Sequence, residues 1–297
     1  MCLAYQSGKY STQISPEMEK KILEGQRKSP VKNEVIGGHS PQINNSNDLF
    51  AVEELSVNAD GTRNIKFVKD LQDGSISKIK KSTVFPDSWS DSKIIDTIKE
   101  VGDSPFISVR GRDGATWHRK IVDGVEVDVI KLGNDVISGY PTGKINAPKP
   151  SGFSERGDCM YRELDNLLSE ESTVDSWYDD GFLIAQSIMN DFSKDDWEKL
   201  SNDILNKDLE WKKKLVYCLD NQIIQEELEI IGKLLHTKDD ELLEMCIDTL
   251  RSFDNEMGHS YIKMHPEIIK EAKERMDTAG NATKRMLQCF LEVFNIL

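Results

Sequence analysis

The 297 residues, 30% of them charged and with a formal net charge of −14, read as a soluble globular chain long enough for two domains of ordinary size. No apolar run approaches the roughly 18 residues of a membrane helix, and the N-terminus lacks the charged-then-apolar profile of an export signal, so a cytoplasmic site of action is expected. The five scattered cysteines show no CxxC spacing and the histidines no helical pairing, which argues against a disulfide framework and indicates no metal site and no cofactor.

In chain order, a polar stretch carries one amphipathic helix from about Pro16 to Arg27, with Met18, Ile22 and Leu23 on one face. Period-2 segments follow at Leu49–Val57, Thr62–Leu71 and Ser75–Val84, separated by Asn-Ala-Asp-Gly and Gln-Asp-Gly turns. Ser88-Trp89-Ser90-Asp91 supplies N-cap candidates for a helix whose Ile94, Ile95, Ile98 and Val101 form one apolar face ending at Gly102. Strand patterns return at Phe106–Arg110, Thr116–Val122, Val125–Leu132 and Asp135–Tyr140, an antiparallel meander. The predicted N-terminal domain, residues 1–146, is therefore α+β, an antiparallel sheet with a packing helix.

Pro141 to Phe153 is rich in Pro, Gly and Ser, and strand signals end with it; residues 147–159 are expected to be a linker. Residues 160–297 have helical period throughout, predicting an all-α domain of about eight helices: Arg162–Leu168, Ser176–Phe192, Asp195–Leu205, Leu209–Leu219, Gln225–Leu235, Asp240–Phe253, Pro266–Met276 and Ala282–Phe294. Asn206 to Trp211 recurs as Thr237 to Leu242, an offset of 31 residues that suggests helical hairpins stacked in the manner of HEAT repeats. Trp177, Trp197 and Trp211 fall at helical core positions. Charge divides the chain: residues 1–153 carry 21 Lys+Arg against 20 Asp+Glu, and the remainder 17 against 32.

The chemistry candidates lie in the first half. His39, the only histidine of the first hundred residues, follows Gly37-Gly38, where the backbone can approach a ligand closely, and its imidazole can exchange a proton near neutral pH. Lys80 and Lys81 run into Ser82-Thr83-Val84-Phe85-Pro86, and a late strand ends Ser138-Gly139-Tyr140-Pro141. Taken with Ile22-Leu23-Glu24-Gly25, these motifs stand in an order that resembles the bacterial EndoU-type ribonuclease domains used as toxins in contact-dependent growth inhibition. The resemblance covers about residues 17 to 145.

That resemblance implies metal-independent RNA cleavage leaving a 2′,3′-cyclic phosphate, with tRNA the common substrate of such toxins and the cytoplasm of a target cell the place of action. It maps the family's second histidine onto His39, its lysine onto Lys80 or Lys81, and its final pair onto Ser138 and Tyr140. The family's first histidine is replaced by Lys21, whose ammonium is a poor general base unless strongly desolvated. His118 and Thr83 are additional candidates. Cleavage needs a base for the ribose 2′-OH, an acid for the leaving oxygen and positive charge for the phosphorane; His39 suits the first, Lys80 or Lys81 the last, while Tyr140 and Ser138 offer a ring and a hydroxyl to an unstacked base. Lys78, Arg110, Arg112, Arg119 and Lys120 are candidate RNA contacts.

The acidic helical half resembles the small immunity proteins paired with such toxins, and is expected to bind the nuclease cleft and compete with phosphate. The alternatives are a catalytically inactive RNA-binding or adaptor protein, motivated by the missing histidine, and a helical-repeat scaffold carrying a β-rich partner domain.

Overall fold

The computed structural model describes residues 9–154 and 159–295. Its N-terminal half opens with helix α1 (Pro16–Glu24), started by Ser15, whose hydroxyl accepts from the Met18 N–H, and by Pro16 at its first position. After the short strands β1 (Gln26–Arg27) and β2 (Val35–Ile36) come β3 (Phe50–Val57), β4 (Arg63–Lys69) and β5 (Lys80–Val84), an antiparallel sheet in that order with β5 at its edge. Helix α2 (Asp91–Gly102), capped by Ser90, leads into β6 (Ser108–Val109), β7 (Thr116–Val122), β8 (Val125–Leu132) and β9 (Asp135–Pro141), the expected four-stranded meander.

Two differences from the sequence reading have simple causes. The third strand begins at Lys80 rather than Ser75, because the Gln72-Asp73-Gly74 turn is followed by an isolated bridge between Asp70 and Ile76 and then by chain whose N–H groups go singly to Lys69 O, Asn33 O and Asp248 instead of to a ladder. The fourth shrinks to Ser108–Val109, an exposed edge in which Phe106, Ile107 and Val109 meet little of the core.

The α2 face of the meander is apolar. Val125, Val127, Val129 and Val136 pack on Ile94, Ile95, Ile98 and Val101, and on Ile22 and Leu23 of α1. A second core joins Val35, Ile43, Phe50, Val52, Ile65, Phe67 and Val84. Neither core draws a residue from beyond the meander, so the N-terminal half encloses apolar interiors of its own and is able to fold alone.

The second half is all helical: α3 (Met160–Ser169), α4 (Val174–Ser176), a π turn (Trp177–Gly181), α5 (Phe182–Asn190), α6 (Lys194–Asp203), α7 (Leu209–Cys218), α8 (Gln225–Leu234), α9 (Asp240–Leu250), α10 (Glu256–Met264), α11 (Pro266–Met276) and α12 (Asn281–Val293). One large core holds them together, and Trp177, Trp197 and Trp211 are buried in it. Helix α10 was not anticipated, although Asn255 caps it by accepting from the Gly258 N–H. Helices α7 and α9 begin at residues 209 and 240, and α8 and α10 at 225 and 256, so the 31-residue spacing holds at both helices of each pair.

The two halves meet along β5, where α4 and the π turn pack, and across β3 and β4, where α12 packs and the Thr283 N–H donates to Glu53. Part of the expected linker, residues 155–158, lies outside the described residues; upstream of it, the Arg119 guanidinium donates to the Ala147 and Pro148 carbonyls, and Ser151 is buried against Ser176. No helix among the described residues is long and apolar enough to cross a membrane.

Candidate active site

Helix α1 ends by handing its last carbonyls to the Gly-Gly-His-Ser segment. The Gly38 N–H donates to Lys21 O at 3.0 Å, His39 N–H to Ile22 O at 2.8 Å and Ser40 N–H to Leu23 O at 3.1 Å, which satisfies helix-end acceptors that would otherwise be orphaned. This approach requires glycine. Gly37 has φ +80°, and a Cβ there would lie 1.9 Å from Lys21 O. The Phe85 N–H donates to His39 O at 2.9 Å, so His39 is pinned between α1 and the end of β5.

The ring of His39 is fully buried with an acceptor at each nitrogen. Nδ1 lies 3.0 Å from the Thr83 carbonyl oxygen, with Ser82 Oγ at 3.1 Å and Asp175 Oδ1 at 3.3 Å, and Nε2 lies 2.6 Å from Asp179 Oδ2. Both nitrogens donate, so the ring is an imidazolium. Burial alone would lower its pKa, but Asp179 and Asp175 overcome burial and raise it from 6.5 to about 9.

The second carboxylate oxygen of Asp179 completes the arrangement. Oδ1 accepts from the Gly37 N–H at 3.0 Å and from the Lys80 ammonium, which also donates to Gly37 O. Burial would push this carboxyl up, yet Lys80 and His39 hold it well below the usual carboxylate range. A backbone N–H, an imidazolium and an ammonium thus converge on one carboxylate carried by the π turn, a helical irregularity frequent at functional sites.

Strand parity sorts the remaining candidates. Lys80 and Ser82 share one face of β5, toward the glycine pair; Lys81 faces the other way and pairs with Glu241. Of the two lysines left open by the sequence, Lys80 lies in the cluster and Lys81 lies outside it. On β9, Gly139 faces Ile98 of α2, which turns Ser138 and Tyr140 to the opposite face, where the Tyr140 ring lies 6.0 Å from that of His39. Ser138 Oγ and Tyr140 Oη are both buried without a hydrogen-bond partner among the described residues. Lys21 reaches the same face, its ammonium donating to Ile137 O at 2.7 Å, and burial lowers its pKa against the pull of Asp179 and Asp180.

His118 stands apart. Register places it beside Val129 and Gly139 on the α2 face, where its ring meets Ser104 O at 2.7 Å and Thr116 Oγ1 at 2.9 Å. Thr83 contributes its backbone to the site; its hydroxyl bonds Asn64. Among the expected RNA contacts, Lys78 pairs with Asp220 at 3.1 Å, Arg110 with Asp180, and Arg112 with Glu163 at 2.9 Å, each across the boundary between the halves. Arg119 instead pairs with Asp128 at 2.7 Å, and Lys120 with Glu100 on α2. Asp175 and Asp179 were not foreseen as partners of His39, nor Asp180 as the partner of Arg110; the only local signal was Asp179-Asp180 in a helix start rich in aromatics.

The charged contact has a pH window. The raised pKa of His39 makes its contribution full below 6.5 and lost as pH rises through about 9, whereas the depressed pKa of Asp179 makes its contribution full above 3.8 and lost as pH falls further. With the halves expressed as separate chains, their affinity should hold steady from about pH 5 to 6.5 and then weaken up to about pH 9. Calorimetric titration across that range checks this; a flat profile would show that the ring is not charged at the contact.

Residues 15–143, from the cap of α1 to the end of β9, match the family model described as bacterial EndoU nuclease. No curated protein and no solved structure matches the chain.

Proposed function

We propose that the N-terminal half is a metal-independent endoribonuclease toxin that cleaves tRNA to a 2′,3′-cyclic phosphate, and that the helical half is its immunity protein, held in the same chain. One observation carries this reading: the Gly37 N–H, His39 and Lys80 converge on a single anionic group, the Asp179 carboxylate, in the arrangement a phosphate needs. The family match over these residues supports it.

With the helical half away, His39 loses both carboxylates that hold it charged, and its pKa returns toward the ordinary imidazole range. It then accepts the 2′-OH proton, while Lys80 and the Gly37 N–H offset charge on the phosphorane. Tyr140 and Ser138, with their unpaired hydroxyls, face the same space and receive a base. Lys21 brings a further cation where the family's first histidine would stand, as charge clamp or as acid to the leaving oxygen. With the helical half in place Asp179 occupies the phosphate's position and traps His39 protonated, so the chain is inhibited twice by one side chain.

The test is to incubate residues 1–153 with total tRNA, alone and with the helical half added in trans. Discrete fragments ending in a cyclic phosphate, abolished by the helical half, are expected. Activity should persist in chelator, since the 2′-OH nucleophile needs no metal-bound water. Loss of cleavage in EDTA, restored by a divalent ion and not by monovalent salt, would contradict the mechanism. RNA binding without fragments would favour the alternative of an inactive RNA-binding domain, which the lysine at position 21 motivates.

A further inference from the structure

The outer edge of β5 is lined with donors, and the helical half meets them with carboxylates. In the antiparallel pairing with β4, alternate residues of β5 turn their N–H groups away from the ladder. The Ile79 N–H, just before the strand, donates to Asp248 Oδ2 at 2.7 Å, and the Thr83 N–H donates to Asp175 Oδ1 at 2.8 Å. Between them lies Lys80 on Asp179. Upstream, the ammonium of Lys78 is buried entirely against the helical half, on Asp220 at 3.1 Å and on Tyr217 O at 2.9 Å.

This edge leads to the site. The Thr83 carbonyl holds His39 Nδ1, and Ile79 lies four residues upstream, about 13 Å along an extended strand. Remove the helices, and a row of backbone donors and lysines ending at His39 loses the four carboxylates of the helical half that met it, while Glu34 of the N-terminal half remains near Lys78. An open edge of this kind takes up whatever complements it, and its lysines select an anionic polymer over a neutral strand.

We propose that the edge of β5 is a track for the RNA backbone, with a phosphate subsite formed by the Lys78 ammonium and the Ile79 N–H at its far end. Asp248, Asp220, Asp179 and Asp175 occupy in the closed chain the places that successive phosphates take in the open one. The buried Glu34 lies near Lys78 at this end, so the subsite's charge rests on Lys78 together with the Ile79 N–H. The inference rests on the nuclease reading and adds to it where the substrate runs.

The experiment uses residues 1–154 carrying His39→Ala, and measures binding of a short 2′-O-methyl RNA of mixed sequence against salt concentration. Lys78→Gln should weaken binding severalfold and lower the slope of log affinity against log salt by about 0.7, the loss of one single-strand phosphate contact. Lys78→Arg should keep the slope. Lys93→Gln, on α2 behind the other sheet, should leave both quantities unchanged. An unaltered slope in Lys78→Gln overturns the track. A domain that cleaves no RNA with His39 intact and binds none in this assay overturns the nuclease reading itself, so the two failures are distinct.

Discussion

Replacing Asp179 with alanine weakens the hold of the helical half on the N-terminal half by about 100- to 4,000-fold. The carboxylate is the common partner of a buried imidazolium and a buried ammonium, and its removal leaves the ammonium with only the Gly37 carbonyl and the imidazolium with only Asp175, at 3.3 Å, as a carboxylate partner. Breaking a buried charge pair from one side costs about 3–5 kcal/mol, and every 1.4 kcal/mol is tenfold in affinity. The peripheral pairs behave otherwise. Glu241 with Lys81 and Glu163 with Arg112 are partly exposed and screened by salt, so their removal should slow association and change affinity little. Titration of separately expressed halves gives both numbers; a loss below tenfold for Asp179→Ala would mean that the apolar contacts, not this carboxylate, anchor the complex.

His39→Ala in the isolated N-terminal half should reduce the proposed cleavage by about 10²–10⁴, the usual contribution of a positioned proton carrier. The fold should survive, because the backbone bonds that fix this segment run through Ile22 O and the Phe85 N–H and do not involve the ring. A melting curve beside the rate measurement separates loss of chemistry from loss of structure. Near-full activity in this variant would move the base elsewhere, and the geometry names the next residue to test: Lys21, on the same face, and not His118, which lies across the sheet.

The sequence disclosed most of what is local. Alternation placed β7 and β8 at their observed ends, amphipathic spacing marked α1 and N-cap residues α2, and the glycine pair before His39 announced a close backbone approach. Lys80 and Lys81 could not be separated because parity says only that they oppose each other; which one faces inward depends on Gly37-Gly38 lying against one side of β5. His118 looked as good as any histidine until the pairing with Val129 put it under α2. The carboxylates around His39 lie 136 to 140 positions away in the chain, and no periodicity relates residues so distant. A cluster of acids in a helix start reads as a solvated face until its counterpart is known.

The π turn at Trp177–Gly181 also bears on how such a pair could change partners. A π turn is what a helix becomes when it accommodates one extra residue, so deleting a single codon within it would restore regular α geometry. The bulge absorbs that residue locally, so the helix on either side would keep its facing and only the residues within the turn would change theirs. Asp175 lies before the turn, Asp179 and Asp180 within it, and today they reach Thr83, His39 and Arg110 together. With one residue fewer the turn could not present all three. An in-frame loss of three nucleotides would therefore break the contact with the N-terminal half at Asp179 and Asp180 while Asp175 and the apolar core behind it keep their places, so a single deletion would change what this helix recognises without unfolding it.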